Sequence, residues 1–364
     1  MIYVTKSEMP ALSKYTKYLK EIWKTSILTN NGAFVQELER KLSLFLGVEN
    51  LSLVSNGTVA LQLALRALQL KGEVITTPFT FVATTNVIMW EKLKPVFADI
   101  DPHTFSIDPK DVERKISKHT AAILAVHVYG NPSYVEDLEN IGKRHGIPVL
   151  YDAAHAFGVE YKNKSLLLWG DASTLSFHAT KIYHTIEGGA VVTKTKALTN
   201  EVRLLRNFGI ISEEEAIRPG INAKMNEYQA VMGLCNLSEF EHNVSKRKRL
   251  YEVYKDALKD CRDIRFQTIT ASSYNYSYMP VVFSSHKLRD YVHDQLVLNK
   301  IKPRKYFYPL ISAYPFLAAY GVNVSTYPNA EMISESVLCL PLYATLPLST
   351  AKKITQIIKK SIQE

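Results

Sequence analysis

The chain has 364 residues, 46% of them hydrophobic and 22% charged, and a formal net charge of +9. It is too long for one simple core, so we expect two domains, and its composition is that of a soluble globular enzyme. The sequence has neither an apolar stretch of the roughly 18 residues that a membrane span needs nor an initial signal-peptide pattern. We therefore expect a cytoplasmic protein without a membrane partner.

Short apolar runs alternate with helical patterns through the first two thirds of the chain. Helices are predicted at 11–24, 59–70 and 134–145. The sequence does not show which of the two lobes the first helix joins. Apolar strands alternating with helices predict an α/β fold with a mainly parallel sheet covered on both faces. The seven candidate strands are 51–55, 73–77, 95–99, 122–127, 148–152, 174–178 and 190–193.

The last third of the chain has a different pattern. A polar helix at 239–258 leads into a mixed α+β region, which ends in a helix at 350–362 with its isoleucines on one face. An apolar stripe of this kind packs against a core. We predict a large ligand-binding domain with the N-terminal segment at 1–238 and a small C-terminal domain at 239–364.

Cysteine, histidine and charge patterns exclude further classes of protein. The three cysteines are far apart and odd in number, which indicates reduced thiols, and with the ten histidines they form no zinc pattern, so we expect no metal. The densest cationic run, 246–249, lies on a predicted helix without any nucleic-acid-binding motif. We interpret it as a solvated helix face and expect no nucleic-acid partner.

Two segments that follow predicted strands suit a ligand with a phosphate and a flat ring. Ser55-Asn56-Gly57-Thr58 opens a helix, where Gly57 permits close approach, Thr58 adds a hydroxyl and free amides attract phosphate. Phe81 follows the next strand, at the edge of a sheet where ligands bind, and could stack on a ring. The alternatives are an ordinary helix cap and a core aromatic.

A lysine and an aspartate supply the strongest chemical signal in the sequence. Lys181 ends a Ser-Phe-His-Ala-Thr-Lys run before Glu187-Gly188-Gly189, and Asp152 ends an apolar run about thirty residues upstream. Pyridoxal phosphate chemistry needs such a pair: an amine that condenses with the cofactor aldehyde and a carboxylate that keeps the pyridine nitrogen protonated. His155, three residues after Asp152, could donate to the phenolic oxygen, or it could be structural. For His127 and His178 the structural interpretation is favoured.

With these residues placed, the chain resembles the DegT/DnrJ/EryC1/StrS family of sugar aminotransferases over nearly its whole length. The segments that carry the resemblance are Leu28-Thr29-Asn30-Asn31-Gly32, Ser55-Asn56-Gly57-Thr58, Val126-His127-Val128-Tyr129-Gly130, Asp152-Ala153-Ala154-His155, Ser176-Phe177-His178-Ala179-Thr180-Lys181, Gly220-Ile221-Asn222-Ala223-Lys224-Met225-Asn226-Glu227, Tyr306-Phe307-Tyr308-Pro309-Leu310 and Leu340-Pro341-Leu342.

The resemblance implies the aspartate-aminotransferase-like fold of type I enzymes that bind pyridoxal phosphate, and a homodimer with shared active sites. By motif position, Lys181 would bond to the cofactor and Asp152 would pair with its pyridine nitrogen. His155 would contact its hydroxyl, and Phe81 would cover its ring.

The resemblance also implies a phosphate site. Gly57, Thr58 and Ser176 would hold the cofactor phosphate, and Asn222 would reach the phosphate bound by the other subunit. The family often has Asn-Tyr-Arg-Met where this chain has Asn-Ala-Lys-Met, which leaves contacts from the residues at 223 and 224 undecided.

Within the family, the segments at 22–32, 72–78 and 151–158 are similar to enzymes that make dTDP-4-amino-4,6-dideoxyglucose for surface polysaccharides. The similarity implies dTDP-4-keto-6-deoxyglucose as substrate and glutamate as amino donor. The alternatives are a 3-keto sugar, a UDP-linked 4-keto sugar, a dehydratase and a non-catalytic regulator. Candidate substrate contacts, each of which could equally be a surface or packing residue, are Thr29, Asn30, Tyr183, Tyr306 and Tyr308.

Overall fold

A computed structural model describes residues 1–322 and 326–363 of the chain. The α-helices in these residues are α1 (Leu12–Thr25), α2 (Ala33–Leu46), α3 (Gly57–Ala67), α4 (Val82–Trp90), α5 (Pro109–Lys115), α6 (Val135–His145), α7 (Lys196–Arg206), α8 (Glu227–Leu237), α9 (Phe240–Leu258), α10 (His286–Leu298), α11 (Phe316–Ala319), α12 (Pro328–Ser336) and α13 (Leu348–Gln363). The strands are β1 (Ile2–Tyr3), β2 (Leu51–Val54), β3 (Glu73–Thr76), β4 (Lys94–Phe97), β5 (Thr120–Val126), β6 (Val149–Asp152), β7 (Glu160–Tyr161), β8 (Lys164–Ser165), β9 (Ala172–Ser176), β10 (Gly189–Thr193), β11 (Ile210–Ser212), β12 (Glu215–Ala216), β13 (Ile264–Phe266), β14 (Met279–Phe283), β15 (Ile301–Lys302) and β16 (Val337–Leu340).

All seven predicted strands lie in one sheet, in the order β2-β10-β9-β6-β5-β3-β4. The predicted α/β fold with a mainly parallel sheet is confirmed. Strand β10 runs antiparallel to both of its neighbours, whereas the other pairings are parallel. The connection from β9 to β10 contains no helix in its described residues, so the chain turns back along the sheet instead of crossing over it.

Helices cover both faces of this sheet because its strands are apolar on both sides. In β6, Val149 and Tyr151 pack with α2 and α6 on one face, whereas Leu150 packs with α3 and α7 on the other. The full burial of each such side chain contributes roughly 1.5–3 kcal/mol. The sheet is thereby held rigid, and the loops at the carboxyl ends of its strands have a fixed base.

A second core forms around an antiparallel sheet in the order β13-β14-β16. Helices α9, α10 and α13 pack on it, and α13 buries Ile354 and Ile358 as its pattern predicts. The N-terminal segment contacts both parts of the molecule: β1 pairs with β15, and α1 packs on α8 through Ile22. The division at residue 238 stays a prediction.

The basic run at 246–249 is not the fully solvated helix face that its charge pattern predicts. Lys248 and Arg249 are exposed, but Arg247 is 1% exposed and lies inside the second core. Its Nη1 donates to three backbone carbonyls, the nearest being that of Leu342 at 3.1 Å. The prediction was wrong at this position because these acceptors belong to distant segments.

No helix in residues 1–322 and 326–363 is long and apolar enough to cross a membrane. The same residues contain no group of histidine, cysteine, aspartate and glutamate side chains that could hold a metal ion. The three cysteines are free thiols, as their spacing predicts, and Cys235 and Cys339 are buried.

Candidate active site

A cavity of about 570 Å³ opens at the carboxyl ends of the parallel strands. It is formed where the loops after β2, β3, β6 and β9 meet, the edge at which sheets of this kind bind ligands. Eight residues predicted from the sequence line it: Gly57, Thr58, Phe81, Asp152, His155, Ser176, Lys181 and Tyr306. The fold therefore brings together residues that span about 250 positions of the chain.

Lys181 lies in the loop between β9 and β10 and is half-buried in the cavity wall. Burial lowers the pKa of its amine to about 8; the negative charge of Asp152 opposes this shift and the positive charge of Arg304 adds to it. A lysine with this pKa is partly uncharged near neutral pH. Since only the uncharged amine is a nucleophile, the cavity prepares Lys181 for bond formation with an aldehyde.

Asp152 is the last residue of β6 and is buried at the base of the cavity. Thr84 Oγ1 donates to Oδ2 at 2.8 Å, and the Ala154 N–H donates to Oδ1 at 3.1 Å. Burial raises the pKa of this carboxyl group, and the two hydrogen bonds and the charge of Lys181 act against that rise. A protonated pyridine nitrogen nearby would stabilise the carboxylate further.

His155 is buried and is held as a neutral hydrogen-bond donor. Its Nδ1 accepts from the Tyr129 N–H at 3.2 Å, so the single proton of the neutral ring is on Nε2. Burial lowers the pKa of His155 well below its usual value, and the positive charges of Lys181 and Arg304 lower it further. This tautomer suits the predicted donation to a phenolic oxygen.

The loop after β2 forms a cradle against the end of β9. A Cβ atom on Gly57 would lie 2.6 Å from the Ser176 Cβ, so only glycine fits between them. Asn56 Oδ1 accepts from the Val59 N–H, and the backbone ladder of α3 begins at Ala60. The amides of Gly57 and Thr58 precede that ladder, in the position from which helices bind phosphate.

Phe81 stands at the rim of the cavity. It is the N-cap residue of α4 and is 47% exposed, in contrast to the core aromatic that was the alternative prediction. An exposed aromatic ring on a cavity wall can cover a flat ligand ring. Together with the Gly57 cradle and the Lys181–Asp152 pair, it shows that the side chains present here fit pyridoxal phosphate.

The residues predicted to contact substrate are divided between the cavity, the surface and the core. Tyr306 is buried in the cavity wall, and its backbone oxygen accepts from the Tyr129 hydroxyl. Tyr308 is 48% exposed outside the cavity, with its ring 5.0 Å from the guanidinium carbon of Arg289. Tyr183 is 1% exposed and stacks on Phe157, so the structure assigns it to the core of the large sheet.

Three predicted residues lie on the surface, away from the cavity of their own chain. Thr29 and Asn30 are exposed in the loop between α1 and α2. Asn222 is exposed in the segment before α8, where it forms a β-bridge with Asn207. None of the three lines the cavity in the described part of this chain.

The two histidines that were interpreted as structural have different surroundings. His127 is buried, stacks on Tyr151, and burial lowers its pKa to about 3, which agrees with a structural role. His178 is exposed on the cavity wall, with Nε2 3.5 Å from Glu187 Oε1. It is therefore available to a ligand.

Sequence reasoning missed the role of Thr84 and gave Arg304 no role in the cofactor site. Arg304 lines the cavity with its guanidinium carbon 4.1 Å from the centre of the Tyr306 ring. Its place beside the aromatic run at 306–308 does indicate, from the sequence, a place for charge and stacking together, as a diphosphate-linked substrate would need. Thr84 carries no comparable signal, because one threonine inside a helical pattern does not reveal its partner.

Comparisons with known proteins agree with this geometry. The sequence profile of the DegT/DnrJ/EryC1/StrS aminotransferase family matches residues 12–359. The chain is 42% identical to a dTDP-4-amino-4,6-dideoxy-D-glucose transaminase of Escherichia coli over 98% of both chains. Its structure resembles that of DesI, solved in the presence of its TDP-sugar product, with a TM-score of 0.93, 30% identity and coverage of 100% of this chain and 93% of DesI. It also resembles NtdA from Bacillus subtilis with bound cofactor PMP, with a TM-score of 0.89, 25% identity and coverage of 97% and 82%.

Proposed function

Because the chain belongs to the DegT/DnrJ/EryC1/StrS aminotransferase family, we propose that it transfers the amino group of glutamate to C4 of dTDP-4-keto-6-deoxyglucose. The products are dTDP-4-amino-4,6-dideoxyglucose and 2-oxoglutarate. The observation that carries the proposal is the meeting of Lys181, Asp152 and the Gly57–Ser176 cradle in one cavity. The relative at 42% identity supports the choice of sugar, nucleotide and amination at C4.

When bound, pyridoxal phosphate supplies an electron sink for negative charge on the carbon atom that carries the nitrogen. Lys181 Nζ would hold the cofactor. When released by an amino donor, its amine would be placed to take a proton from the α-carbon of the amino acid as a base and to return it as an acid. Its lowered pKa suits both tasks near neutral pH.

The remaining cavity residues bind and orient. Asp152 holds the proton at the ring nitrogen, which keeps the electron sink effective. The His155 Nε2–H is available to the phenolic oxygen. The amides of Gly57 and Thr58 and the Ser176 hydroxyl take the phosphate, and Phe81 shields one face of the ring from water.

The active unit that we propose is a homodimer in which Asn222 completes the phosphate site of the neighbouring subunit. Asn222 is exposed and outside its own cavity, and exposed apolar side chains precede it in the chain, which suits a surface covered by a second copy. These side chains are Ile210, Ile211, Ile217 and Ile221. We place the reaction in the cytoplasm, and the three free cysteines support a reducing compartment.

The substrate is tested by incubating the enzyme, cofactor and glutamate with a panel of 3-keto and 4-keto nucleotide sugars and identifying the products by NMR. We expect amination at C4 of the dTDP-linked 6-deoxy sugar. Amination at C3, or activity with a UDP-linked N-acetylated sugar alone, would overturn the substrate while leaving the transaminase intact. Loss of water from the sugar without amination would identify a dehydratase.

Mixing two impaired variants, at a cofactor concentration too low to saturate Asn222→Ala, tests the shared site. Lys181→Ala dimers should be inactive, and Asn222→Ala dimers should bind cofactor weakly. In a mixed dimer one site combines an intact Lys181 with an intact Asn222 from its neighbour, so co-refolding should restore activity. Absence of restored activity in verified mixed dimers, or an active monomer in sedimentation at assay concentration, would contradict the proposal.

A further inference from the structure

Behind the cofactor site, Asp152 is held by a short chain of threonine hydroxyls. Thr84 lies in the first turn of α4 and donates from Oγ1 to Asp152 Oδ2 at 2.8 Å. Thr80 Oγ1 lies 2.8 Å from the same Thr84 oxygen. Thr84 and Thr80 are 0% and 2% exposed, so water does not compete for these hydrogen bonds.

The direction of this chain follows from counting protons. Each threonine hydroxyl has one proton to donate. Thr84 gives its proton to Asp152, so in the contact with Thr80 it can only accept, and Thr80 must donate. Hydrogen bonds arranged in series polarise one another, so Thr80 strengthens the bond that Thr84 makes to the carboxylate.

We propose that Thr84, supported by Thr80, is a positioning residue that keeps Asp152 ionised and aimed at the ring nitrogen of the cofactor. The proposal rests on the cofactor named in the proposed function but not on its sugar substrate. Asp152 is buried, which by itself favours the neutral acid. A neutral acid cannot hold the ring nitrogen in its protonated form, so contacts that stabilise the carboxylate support the electron sink. Thr84 is one of these contacts, beside the Ala154 N–H and the charge of Lys181.

Thr84 can hold the Asp152 carboxylate because of where it lies in the fold. Asp152 ends β6, whereas Thr84 belongs to the helix after β3, and β5 lies between these two strands. The contact therefore joins two separate loops of the cavity. Phe81, the residue proposed to cover the ring, lies between Thr80 and Thr84 in the chain. One pair of hydroxyls thus fixes the carboxylate and the start of α4 together.

The neighbouring residue, Thr85, provides a matched control. It is also 0% exposed and also lies in α4. Its hydroxyl has no hydrogen-bond partner among the described residues. Replacement of either threonine by valine preserves shape and removes one hydroxyl, but only Thr84→Val removes a donor to Asp152. If the Thr84 hydroxyl affects the cofactor through Asp152, Thr84→Val should change the cofactor and Thr85→Val should not.

The experiment measures the protonation of bound cofactor by NMR. Thr84→Val, Thr84→Ser and Thr85→Val enzymes are loaded with pyridoxal phosphate labelled with ¹⁵N in the ring, without substrate. We expect the ¹⁵N resonance of Thr84→Val to move toward that of neutral pyridine. Thr84→Ser, which keeps the hydroxyl, and Thr85→Val should retain the resonance of the unmodified enzyme.

Kinetics supply a second measurement on the same variants. Loss of a hydrogen bond to a charged group corresponds to a roughly 10- to 100-fold fall in kcat. Thr84→Val should show this fall, with a smaller change in the KM for glutamate. An unchanged resonance in Thr84→Val, or a Thr84→Ser enzyme as impaired as Thr84→Val, would overturn the proposal. If Thr84→Val does not fold, Thr80→Val and Thr80→Ser carry the same comparison with a smaller expected shift.

The NMR measurement also separates this proposal from the proposed function. An enzyme that aminates no sugar in the panel can still bind cofactor and show the resonance shift in Thr84→Val. Conversely, the enzyme could aminate a sugar while the ¹⁵N resonance of its cofactor stays unchanged in Thr84→Val. That result would contradict the positioning role and leave the proposed function standing.

Discussion

Arg247 and Lys181 each lie near a carboxylate, and the two cations differ in how their protons are used. In the small core, Arg247 donates to three backbone carbonyls and lies 4.0 Å from Glu8 Oε1. In the cavity, Lys181 is half-buried and interacts electrostatically with Asp152. Burial lowers both pKa values by a similar amount, to about 10 for Arg247 and to about 8 for Lys181, whose ordinary pKa is the lower of the two.

This difference separates a structural pair from a chemical one. The hydrogen bonds of Arg247 compensate for the loss of water around its charge, and the pair joins the N-terminal segment to α9. Lys181 starts from the lower ordinary pKa of an amine, so a similar fall brings it near neutral pH, where the uncharged amine can react. Substitutions at the two cations should therefore act on different properties of the protein.

Lys181→Ala should have the largest effect on catalysis. Loss of both the covalent attachment and the proton carrier should lower kcat by at least roughly 10³-fold. The thermal midpoint of the cofactor-free protein should not fall, because the variant removes a half-buried charge. Borohydride reduction and peptide mapping of the unmodified holoenzyme should find cofactor on Lys181; label on another lysine would refute the assignment. Exposed Lys248→Ala serves as the control.

Asp152→Asn should reduce turnover by roughly 10²- to 10³-fold, the cost typical of losing one buried electrostatic contact to a transition state. A neutral amide cannot hold the ring nitrogen in its protonated form, whereas the volume of the side chain is unchanged. Steady-state kinetics of variant enzyme that retains bound cofactor checks this expectation. Near-normal turnover would rule out the role.

Arg247→Ala should show the opposite pattern, with stability lost and chemistry retained. Removal of one partner from a buried ion pair costs about 3–5 kcal/mol, because the remaining charge is left unpaired. We expect a lower urea midpoint, near-normal kcat for folded enzyme, and substantial recovery in the Glu8→Gln/Arg247→Met double variant. Arg249→Ala, an exposed neighbour on the same helix, should change little. Equal stability of the Arg247→Ala and Arg249→Ala proteins would contradict a structural role for the pair.

The smallest effect is a shift along the pH axis. In the cofactor-free enzyme, labelling of Lys181 by an amine-reactive reagent should rise with pH around a midpoint near 8, because burial disfavours the charged form and only the neutral amine reacts. Asp152→Asn should lower this midpoint, since the carboxylate charge raises the pKa of the amine, and Arg304→Ala should raise it. A midpoint at the ordinary lysine value, or shifts of the opposite sign, would show that the cavity does not tune Lys181.

The sequence was most informative where a signal is local. All seven strands of the large sheet were recognised to within two residues at each end, because apolar runs bounded by turn residues need no distant partner. Lys181, Asp152 and Gly57 were recognised because each stands in a short motif at the end of a strand. In a parallel sheet, strand ends of this kind converge on one edge.

The same reasoning failed where the deciding partner is distant in the chain. Arg247 looked like a solvated charge because its carbonyl partners lie in segments up to 95 residues away. Tyr183 could be a substrate contact or a packing residue from the sequence alone, and the fold places its ring on Phe157 in the core. Neither contact has a signature in the residues that surround it.

By itself, the sequence determined the α/β class and the family, and it predicted the lysine and aspartate of the site, since all three depend on patterns within a few consecutive residues. The tertiary structure decided which cation is free to react, which tautomer His155 adopts, and which hydroxyl supports Asp152. Burial and hydrogen bonding set these properties, and both arise from segments that come together only when the sheet assembles. A contact such as that between Thr84 and Asp152, 68 residues apart, exists only in the folded chain.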